Sequence, residues 1–454
     1  MHNPLSRSLL FAVVFIEGFS SLGAEVIALR QIIPHMGSSI VVTAPTIGFF
    51  LLALALGYHT GAKVANNYLA LVARNFLIAA ALAGAGLAGV TVDLIFAAIG
   101  PPLLAYLVFI AAVLCPLAWL LGQTVPILTN LMQHQRTGEA SGYALYYSTL
   151  GSFLASLLLS LLIMQWLGVS AAVALCAMLL LVGTALLSVR YARNWRTALA
   201  ALVVIALTLV CTTWTRPEIE TAYASYTVTP VDIKGAINPR AFKNNKSLAS
   251  LIDEGEPRHY TRYVHHIRRI LLEDLAFRER RILVLGAGGF TLSHREPDNH
   301  YTYVDIDPAI RRIAEEKFLG EAALGEFIVD DARHFVASSE RRFDAVVVDV
   351  YSAHSSIPGH LVTREFWQGT RRVLTAEGVM IANLILDSRL DTPYARNLLA
   401  TIESIYGRCA VEVLHRTQLL SNVIVICHNS NRPQETSLYV DERNAVDFDR
   451  LRSR

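Results

Sequence analysis

Seven long apolar runs occupy the first half of this chain, and they constrain its fold more than any other feature. They lie near residues 8–29, 40–58, 70–92, 103–122, 144–166, 171–189 and 197–213. About 20 apolar residues in a helix cross the hydrocarbon of a bilayer, where no backbone polar group can be left to water. The 454-residue chain is 53% hydrophobic and 17% charged, yet most of its Lys, Arg, Asp and Glu fall after residue 216. Such a split predicts two physical phases, a multi-pass α-helical membrane bundle over 1–214 and an aqueous part beyond it. A formal charge of +2 with no basic run argues against a nucleic-acid partner. None of the five cysteines forms a CxxC pair, so no metal spacing is present.

Orientation follows from Lys and Arg near the ends of the runs. With seven spans, Arg7, Lys63, Arg74, Arg136, Arg190, Arg193 and Arg196 share one side, and only Arg30 and Arg216 lie near the other. This predicts a bacterial-type inner membrane protein with its first residues in the cytoplasm. The charge bias puts its aqueous half outside, one span more or fewer around residues 67 to 128 would put it in the cytoplasm, and the side stays open. The first run is not read as a cleaved leader, because it holds Glu17 and Glu25 and no small-residue cleavage site follows it. Those two acids, eight residues apart, fall on one helix face. They read either as a cation site between helices or as neutral or Arg30-paired groups that pack the bundle. The small-residue run ALAGAGLAG (81–89) predicts close helix packing rather than a ligand loop.

Residues 215–276 read as a small β-rich subdomain: YTVTPVDI and KSLASLID are short strands with a polar, Asn-rich turn between them. HYTRYVHHIRRILLEDL then predicts an amphipathic helix. Over 277–454, strands near 281–285, 301–305, 326–329, 344–349 and 378–384 alternate with helices, which argues for a parallel sheet covered on both faces. RCAVEVLH and SNVIVICH add a hairpin. A parallel sheet closed by an antiparallel hairpin is the α/β class I methyltransferase-like (Rossmann-like) fold. Cys409 and Cys427 lie near opposite ends of that hairpin; they read as a disulfide across two strands or as two reduced strand cysteines.

The chemistry gathers at strand ends. In ILVLGAGGF, Gly286 and Gly288 let the backbone turn tightly and approach a ligand with no Cβ in the way. Asp305 ends the next strand, 17 residues after Gly288, where a carboxylate can accept from both hydroxyls of a ribose. Asp307, followed by Pro308, reads as a helix cap. In VDDARHF, Asp331 stands where it can meet an adenine amino group or simply cap the helix. Asp349 ends a buried strand and can take a proton from an attacking amine, or tie down its loop. Tyr351 and His354 follow in that loop.

At these residues the chain resembles the spermidine synthase (polyamine aminopropyltransferase) family. ILVLGAGG, YVDID, VDDARHF, FDAVVVD and HLVTREFW carry the likeness over about 216–430. EGFSSLGAEVIALR, GQTVPIL and SGYALYYSTLGS resemble the membrane portion of fused spermidine-synthase-like proteins. The resemblance implies transfer of an aminopropyl group from decarboxylated S-adenosylmethionine, a co-substrate rather than a bound cofactor, to a diamine such as putrescine. It assigns Asp305 to ribose, Asp331 to adenine and Asp349 to deprotonation of the amine. Tyr226, Tyr263, Tyr351, Ser352 and His354 fall on the amine side. The expected partners are a small-molecule amine and the lipid bilayer, with self-association left open.

Three departures weaken the amine end. The family places an acid where this chain has Gly289, a second loop acid where it has Ser352, and a Gln where Thr227 follows Tyr226. An S-adenosylmethionine-dependent methyltransferase and a non-catalytic ligand-binding or transport-coupled protein therefore stand as alternatives.

Overall fold

The computed structural model describes residues 7–36, 40–131, 137–191, 195–214, 219–221, 223–245, 247–256, 258–351, 357–430 and positions 439, 441 and 446. The chain divides into two compact units near residue 222.

Among the described residues of the first unit, seven helices are long and apolar enough to cross a membrane. They are α1 (Arg7–Met36), α2 (Val41–Ala62), α3 (Tyr68–Gly86), α5 (Pro102–Leu131), α6 (Gly138–Leu167), α7 (Val169–Ser188) and α8 (Arg196–Thr213), with a shorter α4 (Gly89–Ala98) between α3 and α5. The third run thus ends at Gly86 rather than near residue 92, and a separate short helix follows it. The fourth continues through GQTVPIL to Leu131. Many large apolar side chains point outward, Leu52, Leu161 and Leu202 among them, as they do on a surface solvated by hydrocarbon.

Small residues bring α1 and α6 into backbone contact. A Cβ on Gly18 would lie 1.9 Å from the Ser148 carbonyl oxygen, and one on Gly151 would lie 2.3 Å from that of Phe15. At that separation Ser152 Oγ donates to the Gly18 carbonyl (2.9 Å). Close approach of this kind supplies helix association where no hydrophobic driving force exists.

The second unit begins with three antiparallel strands, β1 (Ser225–Pro230), β2 (Arg240–Asn244) and β3 (Ser247–Ile252). Strand β2 corrects the expectation of a polar turn there. RAFKN has only one large apolar position, and its strand state comes from pairing on both edges and from burial of Phe242 against Phe318. After α9 (Arg262–Arg269) comes the main sheet: β4 (Arg281–Leu285), β5 (His300–Asp305), β6 (Glu326–Val329), β7 (Phe343–Val348), β8 (Leu374–Asp387), β9 (Ala410–Val413) and β10 (Leu420–His428).

The spatial order is β9-β10-β8-β7-β4-β5-β6. Strands β4 to β8 run parallel, while β10 inserts antiparallel beside β8 and pairs with β9. This is the methyltransferase-like Rossmann fold with a mixed sheet. The parallel strands are buried on both faces and read as apolar runs; ILVL and AVVV are nearly without exposure. Trp367, Phe366, Tyr406 and Leu398 fill one flank. Cys409 and Cys427 are disulfide-bonded, with Cα atoms 4.6 Å apart at the open end of the β9–β10 hairpin.

Candidate active site

The order of a doubly wound sheet reverses between β4 and β7, and ligand groups collect at the carboxyl ends of the strands there. A cavity of about 360 Å³ lies at that place, in the size range of small-molecule sites. The turn after β4 forms one wall. Gly286 has φ +88°, and a Cβ there would lie 2.2 Å from the Asp349 carbonyl oxygen. Only glycine therefore lets β4 and β7 end side by side. Gly288, at φ +50°, follows.

Asp305 holds this turn. Its Oδ2 accepts from Ala287 N (2.9 Å) and its Oδ1 from Asp307 N (3.0 Å). Burial pushes its carboxyl up to about 6, against the opposing pull of those amide donors. Asp307 turns the chain as expected, with Oδ1 accepting from Ala309 N (2.9 Å), but the helix starts later, at Ile310. Its Oδ2 accepts from the hydroxyl of Tyr226 (2.9 Å). Asp331 does two things at once. Oδ1 caps the helix α10 (Ala332–Ser338) by accepting from Arg333 N and His334 N, while Oδ2 faces His360 Nε2 (3.2 Å) on the cavity wall.

Asp349 sits deepest in hydrogen bonds. Oδ2 accepts from the Tyr263 hydroxyl (2.9 Å), and Oδ1 accepts from Asn383 Nδ2 (2.8 Å). Burial raises its proton affinity above that of an ordinary aspartate, and the two donors pull it part of the way back. The single Tyr263 hydroxyl hydrogen is shared between Asp349 Oδ2 and the Ala249 carbonyl (2.7 Å), and Tyr351 donates to the Asn383 carbonyl (2.6 Å). The three tyrosines expected at the amine side thus all line the cavity with their hydroxyls spent on the frame. Ser352 and His354 lie outside the described residues.

The position of Gly289 has a physical explanation. A Cβ there would lie 2.5 Å from the Phe318 ring and 2.8 Å from Ser250 Cβ, and its amide already donates to Ser250 Oγ (3.0 Å). The space an acid would need is filled.

Three cavity groups escaped the sequence reading: Asn383, Asn422 and His360. Asn383 was the most findable, as a lone polar residue in the buried strand MIANLIL. Asn422 and His360 carry no such signal, since each reaches the cavity only through pairing or a loop path.

A methyltransferase-like Rossmann domain with a nucleoside-sized cavity at its switch point is the class these features define. Residues 258–439 match the spermine/spermidine synthase domain family. Over 165 residues the chain is 31% identical to the polyamine aminopropyltransferase of Vibrio vulnificus, covering 34% of this chain and 52% of that protein. It is 33% identical over 106 residues to the enzyme of that name from Sulfurisphaera tokodaii, covering 20% and 35%. A crystal structure of a probable spermidine synthase from Corynebacterium glutamicum aligns at a TM-score of 0.39 and 22% identity, over 47% of this chain and 80% of that one. The chain spans about half or less of the length of these curated relatives. The likeness to the spermine/spermidine synthase domain family lies in the second unit, over residues 258–439.

Proposed function

We propose that the second unit is an aminopropyltransferase that uses decarboxylated S-adenosylmethionine and a primary amine such as putrescine. The carrying observation is the charge of the cavity: four aspartates (Asp305, Asp307, Asp331, Asp349) and no Lys or Arg among its described lining residues. A sulfonium nucleoside and an alkylamine are both cations, and a low-dielectric cleft of this sign attracts them. Asp305 would accept from the ribose hydroxyls and Asp331 from the adenine amino group.

Asp349 first takes a proton from the bound ammonium, and the freed nitrogen lone pair attacks the propyl carbon bonded to sulfur. The C–S bond breaks with its electron pair going to sulfur, which leaves neutral methylthioadenosine. The raised proton affinity of Asp349 suits it to that role at neutral pH. Purified full-length protein in nanodiscs, given both substrates, should release methylthioadenosine. Failure to do so while methylthioadenosine binds would overturn the reading.

The packed Gly289 supports a second reading, a different S-adenosyl transferase, because no acid there holds the donor's ammonium. Methyl transfer from S-adenosylmethionine, with no aminopropyl transfer, would select it.

The proposal includes location. The seven helices would hold the chain in a bacterial inner membrane, with Lys63, Arg136, Arg190, Arg193 and Arg196 toward the cytoplasmic side by their place in the sequence. That orientation carries the second unit to the outer side, and the Cys409–Cys427 disulfide fits an oxidising compartment. A reporter fused after Arg454 should be active only outside the cytoplasm; activity only inside would reverse the assignment.

A further inference from the structure

Resting on the aminopropyltransferase reading, we propose that Asn383 and Asn422 are positioning residues: a two-amide relay that keeps a hydrogen-bond donor, never an acceptor, turned toward Asp349. Asn383 stands on β8 and Asn422 on the neighbouring β10, where Asn422 pairs with Ile385. Asn422 Nδ2 donates to Asn383 Oδ1 (2.9 Å), and Asn383 Nδ2 donates to Asp349 Oδ1 (2.8 Å).

A side-chain amide has two unlike ends and nearly the same shape either way round. Alone, Asn383 could present its carbonyl to Asp349, and that orientation suits a protonated acid as well as the other suits a carboxylate. The donor from Asn422 removes the choice, because the Asn383 carbonyl is already occupied on the far side. The backbone of Asn383 is pinned too, its carbonyl accepting from the Tyr351 hydroxyl (2.6 Å). Ionised Asp349 is thereby favoured against the effect of burial, which raises its proton affinity.

The titratable groups facing Asp349 are Tyr263 from α9 and Tyr351 from its own loop. Burial holds both phenols well above their ordinary range, so neither changes charge where Asp349 titrates. The infrared midpoint therefore reports Asp349 and its amide donor, whereas the acid limb of activity also carries Asp305, whose carboxyl is held up at about 6.

The test uses the full chain in nanodiscs, with N383L, N422L and N422Q. Two quantities are measured: the pH profile of kcat/KM, and the titration of the Asp349 carboxyl by infrared difference against D349N. A hydrogen bond to an ionised group that is lost should move the Asp349 midpoint and the acid limb upward by about one pH unit. That shift is expected in N383L and N422L, and N422Q, which keeps a donor, should restore most of it. A merely structural Asn422 would change yield or melting temperature and leave the midpoint in place; an unmoved midpoint in N422L overturns the relay. If N422L does not fold, N422A removes the donor without added bulk and is read the same way. A shifted infrared midpoint in protein that never turns over would keep the relay and sink the aminopropyltransferase reading instead.

Discussion

Glu17 in the helical unit and Asp349 in the sheet unit are both acids taken out of water, and each receives one hydroxyl. Ser148 Oγ donates to Glu17 at 2.8 Å, and the Tyr263 hydroxyl donates to Asp349 at 2.9 Å. Their surroundings differ in kind. Glu17, 1% exposed, is wedged where α1 and α6 touch backbone to backbone beside Gly18. Asp349 borders an open cavity, and its second oxygen is held by an amide that another amide orients. Burial alone makes an acid expensive. A reachable face and a positioned donor make it usable, and only Asp349 has both.

The same contrast runs through the glycines. Gly151 gives its missing side chain to another helix, whereas Gly286 gives it to the end of β7 and so opens a ligand wall.

The comparison can be broken in several ways. The largest effect is expected from Asp349→Asn: turnover should fall by at least about 100-fold with methylthioadenosine binding intact, as measured by calorimetry. Equal loss on Glu17→Gln would erase the distinction between the two acids. Next come the glycines. Gly151→Leu should lower the melting temperature sharply, because Phe15 main-chain oxygen occupies the new atoms' space. Gly286→Ala should chiefly abolish nucleoside binding, through its positive φ and the Asp349 carbonyl 2.2 Å away.

A smaller effect is expected from pH. Asp305 must be ionised to accept from ribose, and burial holds its carboxyl up at about 6. Methylthioadenosine affinity should therefore be full above pH 6 and fall below it, approaching roughly tenfold per pH unit. A flat profile from pH 7 to 5 would remove Asp305 from the ribose. The smallest effect is expected from Gly289→Asp. With Phe318 and Ser250 in the way, the added acid should not raise turnover, and the protein should melt lower. A gain in activity would show that the loop can open.

Much of the sheet was legible because its strands are buried on both faces and their apolar runs end in Gly or Asp. ILVLGAG and AVVVD announce both the strand and the group it delivers. The strand Arg240–Asn244 was not legible, since RAFKN has a loop's composition and owes its state to two partners. The tyrosines line the cavity, and the bonds of their hydroxyls to Asp307, Asp349 and the Asn383 carbonyl have no local sequence signal. Such bonds join residues 32 to 86 positions apart, and no local pattern encodes them.

The amino-acid order by itself determined the division into an apolar helical half and a charged α/β half, the parallel sheet and the aspartates at its strand ends. Hydrophobic period and turn chemistry act over a few residues, and a short window contains them. Tertiary structure alone decided which oxygen of Asp349 meets which donor, that Gly289 is enclosed by Phe318 and Ser250, and that two asparagines on neighbouring strands form a hydrogen-bond chain ending on that carboxylate. Those outcomes depend on register and packing between distant segments, and they exist only once the sheet has closed.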